Sequence, residues 1–297
     1  MNQESQTPHK RRVRYKGKYP KKFEEKYKEL QPEKYKDTIA HVIQKGNTPA
    51  GMHISIMVNE ILDFLWTVAP EEGKEPWDNV GHLVGRGGAP VRKVLVALDI
   101  TLPVIQEAIE REAQLIVSHH PLIWDTHKHV TDRVFQQDKV LTLAENRIAA
   151  ICMHTNLDEA ADGVDDTLAE TLGLRPLDHL AEGTIGHISQ LDAPMALADF
   201  LPMVNEKLRA NGLRYCDGGR PVYCVATGCG SCGEYLEDAV KAGCDTFITG
   251  DVKYSVFIDA KGQGINLIDA GHYPTENPIV PKLAKKLQAQ FPDLTVE

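Results

Sequence analysis

The sequence predicts an α/β protein with two pseudo-repeated, mainly parallel halves that face a shared cleft. Three observations lead there. Short apolar strands alternate with helices from Val58 onward, the pattern of parallel sheets covered by helices. Four of those strands run directly into His, Asp or Glu. Residues 113–120 also match residues 244–251 in shape, as residues 149–154 match 266–272.

The elements follow in order. Val58, Ile61, Leu62 and Leu65 have helical spacing, so Val58–Thr67 is a helix. Lys93–Leu98 is a strand and Pro103–Arg111 a helix. Leu115–Ser118 is a strand, Phe135–Glu145 a helix, Ile148–Met153 a strand and Asp165–Leu172 a helix. The second half reads as helix Ala196–Arg209, strand Val222–Ala226, helix Glu234–Ala242, strand Thr246–Thr249 and helix Val256–Lys261. Strand Ile265–Asp269 and helix Ile279–Gln290 complete it. By domain, residues 1–52 are a basic extension. Residues 53–180 form the first half, with His119, His120 and Asp158, and residues 181–297 the second, with His272 and Glu276.

The strand ends carry the chemistry. His119-His120-Pro121 follows Leu115–Ser118; adjacent histidines converge only where the strand has ended, and Pro121 supplies that turn. His154-Thr155-Asn156-Leu157-Asp158 follows the next strand, Gly250-Asp251 a third, and Gly271-His272-Tyr273-Pro274-Thr275-Glu276 a fourth. Ligands of open α/β sheets bind outside the carboxyl ends of the strands. One such end can be chance, and four point to one site. The donors are imidazole and carboxylate with no obvious thiolate, a mix suited to zinc, manganese, iron or cobalt. His119, His120, Asp158, His272 and Glu276 exceed what one tetrahedral ion with an open position needs. They fit two ions about 3.5–4 Å apart. A helix beginning at Pro274 lets His272 and Glu276, four apart, face the same side.

These residues resemble the Nif-three-like proteins, whose bacterial members are GTP cyclohydrolase 1 type 2 homologs. The resemblance rests on Trp77-Asp78-Asn79-Val80-Gly81, Leu98-Asp99-Ile100-Thr101, Ser118–Ile123, His154–Asp158, Ile248–Asp251 and Asp269–Glu276, in the family's order and spacing. It implies two divalent ions on His119, His120, Asp158, His272 and Glu276, with Glu276 bridging and serving as the catalytic carboxylate. It implies a ring-like homo-oligomer, often a hexamer built from dimers. Two departures stand out: His82 follows the Trp77–Gly81 motif where an apolar residue is expected, and Ser255 stands where the family often has histidine. The spacing leaves no room for the inserted middle domain of long family members.

Charge divides the chain. The first 50 residues hold 13 Lys and Arg against 6 Asp and Glu, whereas the whole chain holds 33 against 42, for a net charge of −9. Tyrosines interleave with the basic residues, so this arm offers a conceivable RNA contact, but a solvated tail is the better-favoured reading. The arm also resembles the leader before some bacterial ribosomal RNA cytosine methyltransferases, through Lys34-Tyr35 and Thr48–His53. No apolar run reaches the roughly 18 residues of a membrane span, and no secretory signal is visible. The expected location is cytoplasmic, with the six cysteines reduced.

Other residues have plainer roles. Cys229-Gly230-Ser231-Cys232 lacks a second ligand pair for zinc and reads as a strand–turn–helix junction, although such a turn can offer N–H groups to an anion. Asp99 is placed to orient a ligand histidine. His127 and His129 read as surface residues, and Asp78-Asn79 as turn chemistry. Two functional classes remain open. One is a metal-dependent hydrolase in which water is activated between two ions to attack a nucleotide-like small molecule; the resemblance points to C8 of a guanine nucleotide, released as formate. The other is a non-catalytic metal-binding regulator or scaffold. The absence of a G-x-x-x-x-G-K-[ST] pattern argues against a P-loop NTPase.

Overall fold

A computed structural model describes residues 56–181 and 185–297. The basic extension of residues 1–52, with its proposed RNA contact, lies outside the described residues.

In chain order the elements are strand β1 (Ile56–Met57), helix α1 (Val58–Val68), strands β2 (Gly81–Val84), β3 (Pro90–Val91) and β4 (Lys93–Ala97), helix α2 (Leu102–Glu110), strand β5 (Leu115–Ser118), helix α3 (Phe135–Glu145), strand β6 (Ala149–Cys152), and helices α4 (Thr155–Asp158) and α5 (Val164–Leu172). Strands β7 (Pro176–His179) and β8 (His187–Met195), helix α6 (Leu197–Leu208), strands β9 (Arg214–Cys216) and β10 (Val222–Thr227), helix α7 (Leu236–Lys241) and strand β11 (Thr246–Thr249) follow. Helix α8 (Tyr254–Gln263), strand β12 (Asn266–Asp269), helices α9 (His272–Glu276) and α10 (Ile279–Gln290), and strand β13 (Thr295–Val296) end the chain.

Local chemistry sets several of these boundaries. Thr101 caps α2 by accepting from Val104 N at 3.3 Å. Glu60 reaches back to Met57 N at 3.0 Å at the start of α1. Gly173 and Gly264 end α5 and α8 in the left-handed region, with φ of 71° at each.

Two larger sheets result, ordered β13-β4-β5-β6-β2 and β7-β8-β10-β11-β12-β9. At the centre of each lie three consecutive parallel strands, β4-β5-β6 and β10-β11-β12. An antiparallel strand that precedes the trio in sequence flanks each: β2 beside β6, and β9 beside β12. The chain returns at its end to the first sheet, where β13 pairs with β4.

Side chains of the central strands alternate between two layers. Val94, Val96, Val117 and Ile151 of the first sheet share one core with Val225, Ile248 and Ile268 of the second, together with apolar faces of α1, α5, α6 and α10. The opposite face of the first sheet packs Leu95, Ile116 and Ala150 on Ile105 of α2 and Leu143 of α3. The opposite face of the second packs Ala226, Phe247 and Leu267 on Ala239 of α7 and Ala260 of α8. Strands β5, β6, β11 and β12 are therefore buried on both sides. No helix among the described residues is long and apolar enough to cross a membrane.

Candidate metal centre

The carboxyl ends of β5, β6 and β12 deliver their side chains to one place. His119 Nε2 stands 3.3 Å from Asp158 Oδ1 and 3.8 Å from Glu276 Oε1. His120 Nε2 is 3.0 Å from Glu276 Oε2, and His272 Nε2 is 3.1 Å from Glu276 Oε1. His119, His120 and His272 therefore meet around Glu276, and Asp158 joins them through His119. Helix α9 begins at His272, two residues earlier than Pro274, and the i, i+4 spacing still brings His272 against Glu276.

Each imidazole is aimed by its other nitrogen. His119 Nδ1 pairs with the Met153 carbonyl at 2.8 Å, His120 Nδ1 with Asp99 Oδ1 at 2.8 Å, and His272 Nδ1 with Asp251 Oδ2 at 2.9 Å. Such partners fix the tautomer and leave Nε2 toward the centre. Asp99 occupies the orienting position expected of it, and Asp251 does the same for His272.

His154 is a further member. Its ring centroid lies 5.1 Å from that of His119 and 5.5 Å from that of His120. Ligand atoms of His119, His120 and His154 all fall within 4.8 Å of one another, as do those of His120, His272 and Glu276. His154 Nδ1 pairs with Asp78 Oδ1 at 2.9 Å. Asp78 also accepts from Thr155 N and Oγ1 at 3.0 and 2.6 Å and from Asn79 N at 2.8 Å. Asp78 is thus a buried anchor as well as a turn residue.

The donor set fits a cation. His119 Nε2 and Glu276 Oε2 are buried without a hydrogen bond, since the nearby imidazole nitrogens are close but not aligned to donate. Nitrogen and carboxylate atoms gathered this way suit a borderline divalent metal.

The Cys229–Cys232 turn closes the site. Gly230 has φ of +56°, and a Cβ there would overlap Glu276 Oε1. Its N–H donates to Thr275 Oγ1 at 3.0 Å, Cys229 N to Asp165 Oδ1 at 2.8 Å, and Cys232 N to Thr249 Oγ1 at 3.0 Å. Three of the turn's N–H groups are thus committed to protein acceptors. Cys229 Sγ lies 3.5 Å from Asp158 Oδ1, and burial pushes its thiol well up, which keeps it protonated. All six cysteines are free. His82 Nε2 pairs with the Val84 carbonyl at 2.8 Å, and Ser255 lies in the first turn of α8.

The cluster forms the floor of a cleft of about 830 Å³, which Trp77, Trp124, Tyr235 and Tyr273 also line.

Metal-free protein carries a signed pH dependence. Burial alone would lower the His120 imidazole, but Asp99 and Glu276 raise it to about 10 from an ordinary value of 6.5. Burial alone would raise the Glu276 carboxyl, but the imidazoles facing it hold it far below its ordinary 4.5. The raised histidine stabilises the fold fully below 6.5 and loses that contribution as pH climbs through about 10. The depressed carboxylate stabilises above 4.5 and loses its contribution as pH falls through its lower folded value. Chelator-treated protein is expected to lose Tm steadily between about pH 7 and 10. Thermal melts check this, and a rising Tm across that interval contradicts the pairing.

Two helix-covered sheets that gather histidine and carboxylate from their strand ends define an α/β protein with side-chain groups able to hold metal in a cleft. The chain belongs to the Duf34/NIF3 (NGG1p interacting factor 3) family, whose model matches residues 56–297. Over 243 residues it is 35% identical to a GTP cyclohydrolase 1 type 2 homolog of Clostridium acetobutylicum, covering 79% of this chain and 91% of that relative. A crystal structure of a Bacillus cereus protein related to NIF3 shares the fold, with TM-score 0.77 and 23% identity, over 82% of this chain and 96% of that one. A 65-residue stretch, 22% of the chain, is 82% identical to Ribosomal RNA small subunit methyltransferase H 1 of Agathobacter rectalis and covers 18% of that protein.

Proposed function

We propose that this protein is a metal-dependent hydrolase of the GTP cyclohydrolase 1 type 2 homolog kind, acting on a nucleotide-like small molecule. The observation that carries the reading is Glu276: its two carboxylate oxygens lie between three imidazoles at 3.0–3.8 Å, each aimed by an outer partner, on the floor of an open cleft. His119, His120, Asp158, His272 and Glu276 would hold two divalent ions. When bound, such a pair acidifies water and stabilises negative charge on the attacked group.

The chain's own residues do the rest. Asp99, Asp251 and the Met153 carbonyl keep the three imidazoles in the tautomer that presents Nε2. His154 lines the cleft beside His120, with its Nδ1 held by Asp78. We further propose a homo-oligomer, hexameric by the family resemblance.

The test is metal content by mass spectrometry on protein purified without chelator, alongside formate release from GTP. The expected result is about two ions per chain with formate release. Two ions without release would discard the cyclohydrolase assignment and point to another substrate or to the regulator or scaffold reading. Protein that stays metal-free on reconstitution would remove both.

A further inference from the structure

Two tryptophans at the cleft mouth have no structural explanation. Trp77 is 63% exposed and Trp124 51% exposed. Their rings are nearly parallel, 18° apart with centroids 6.5 Å from each other. Both stand edge-on to His154, at 6.1 Å with 73° and at 5.2 Å with 89°. His154 in turn meets His119 and His120. A continuous aromatic wall therefore runs from the proposed metal centre to solvent.

Large exposed apolar surfaces gathered in a cleft mark a binding site. Aligned indole faces suit a flat π-system, and stacking on them requires no particular hydrogen-bond pattern. The volume of 830 Å³ lies in the range of small-molecule sites.

Charge then selects among flat ligands. Among the described lining residues, Glu75, Asp99, Asp158, Glu159, Asp165, Glu234 and Glu276 are carboxylates, and Lys139 is the one Lys or Arg. Lys139 Nζ already donates to the Ile100 carbonyl at 3.0 Å. Two divalent ions on Asp158 and Glu276 would offset part of this charge, but the five carboxylates outside that ligand set still outnumber Lys139, so a triphosphate with about four negative charges meets a lining that stays acidic beyond the ions.

We infer that Trp77 and Trp124 form a stacking platform for a planar heteroaromatic ring carrying little or no phosphate, a nucleobase or nucleoside in preference to a nucleoside triphosphate. The inference rests on the hydrolase reading for its location and narrows the substrate class.

The test is equilibrium binding, not turnover. Metal-loaded full-length protein is titrated with guanosine, GTP and ribose by calorimetry and tryptophan fluorescence. Guanosine is expected to bind at least about tenfold more tightly than GTP, and ribose not measurably. Trp124→Ala is expected to weaken guanosine about tenfold or more, while Trp124→Phe stays within about threefold, both with unchanged metal content and Tm. Guanosine that does not bind, or GTP that binds as tightly, overturns the substrate class. Trp124→Ala that binds guanosine normally overturns the platform. Guanosine binding without product formation would sink the hydrolase reading and leave the platform standing.

Discussion

Glu276→Gln is expected to bind divalent metal far more weakly than the unaltered protein, with affinity reduced well beyond the roughly 10–100-fold typical of changes to outer-shell partners. The reason lies in how the carboxylate is held. Gly271 enters α9 at φ of 87°, and Thr275 Oγ1 bonds back to the Gly271 and His272 carbonyls at 3.0 and 2.7 Å while accepting from Gly230 N at 3.0 Å. Gly230 carries no side chain to displace it. Glu276 is therefore fixed, buried and central, touching His119, His120 and His272 at once. The glutamine keeps the volume and one oxygen but removes the negative charge and the second acceptor. Asp99→Asn supplies the comparison, because it loosens only His120, and a loss of about 10–100-fold is expected there. Dialysis followed by mass spectrometry reads both. Full metal occupancy in Glu276→Gln would mean that the cluster does not centre on this carboxylate.

The same particulars show what the sequence makes legible. The central strands could be read because each is a short apolar run buried on both faces, and that burial demands continuous hydrophobicity. Their ends could be read because His, Asp and Glu at such positions have few other uses. The flanking strands could not. Strand β7 is exposed along its length, and β9 reads Arg214-Tyr215-Cys216, so neither has the apolar pattern of a core strand. Partnership across the chain was equally hidden. His154 looks like an ordinary strand-end residue until Asp78, 76 positions away, is seen to hold its Nδ1. Asp251 gives no local sign that it faces His272. The short segment of residues 228–233 carries glycines that suggest an anion cradle; distant acceptors at Asp165, Thr249 and Thr275 take three of its N–H groups.

Asp78→Ala is expected to destabilise the protein by about 3–5 kcal/mol, because several buried donors lose a charged acceptor at roughly 1–3 kcal/mol each. For a chain of this size that lowers Tm by on the order of 10 °C. Asp78 joins three segments: its own loop through Asn79 N, the start of α4 through Thr155 N and Oγ1, and the cleft through His154 Nδ1. Burial alone would raise its carboxyl, yet His154 and Thr155 hold it down to about 2, so it is ionised throughout the neutral range. Alanine leaves the Thr155 N–H and hydroxyl and the His154 Nδ1 without their acceptor inside the protein. Asp78→Asn separates charge from shape: it retains an oxygen for Thr155 but removes the negative charge that His154 Nδ1 faces, so an intermediate loss is expected. The two effects also divide by readout. Stability tracks the Thr155 bonds, whereas the orientation of His154 bears on the metal cluster and on the indoles of Trp77 and Trp124 that meet its ring. Near-ultraviolet circular dichroism of the paired indoles should therefore change in Asp78→Asn at temperatures where the far-ultraviolet spectrum shows the fold intact. An unchanged near-ultraviolet spectrum and an unchanged Tm in that variant would mean that Asp78 holds neither the loop nor the histidine.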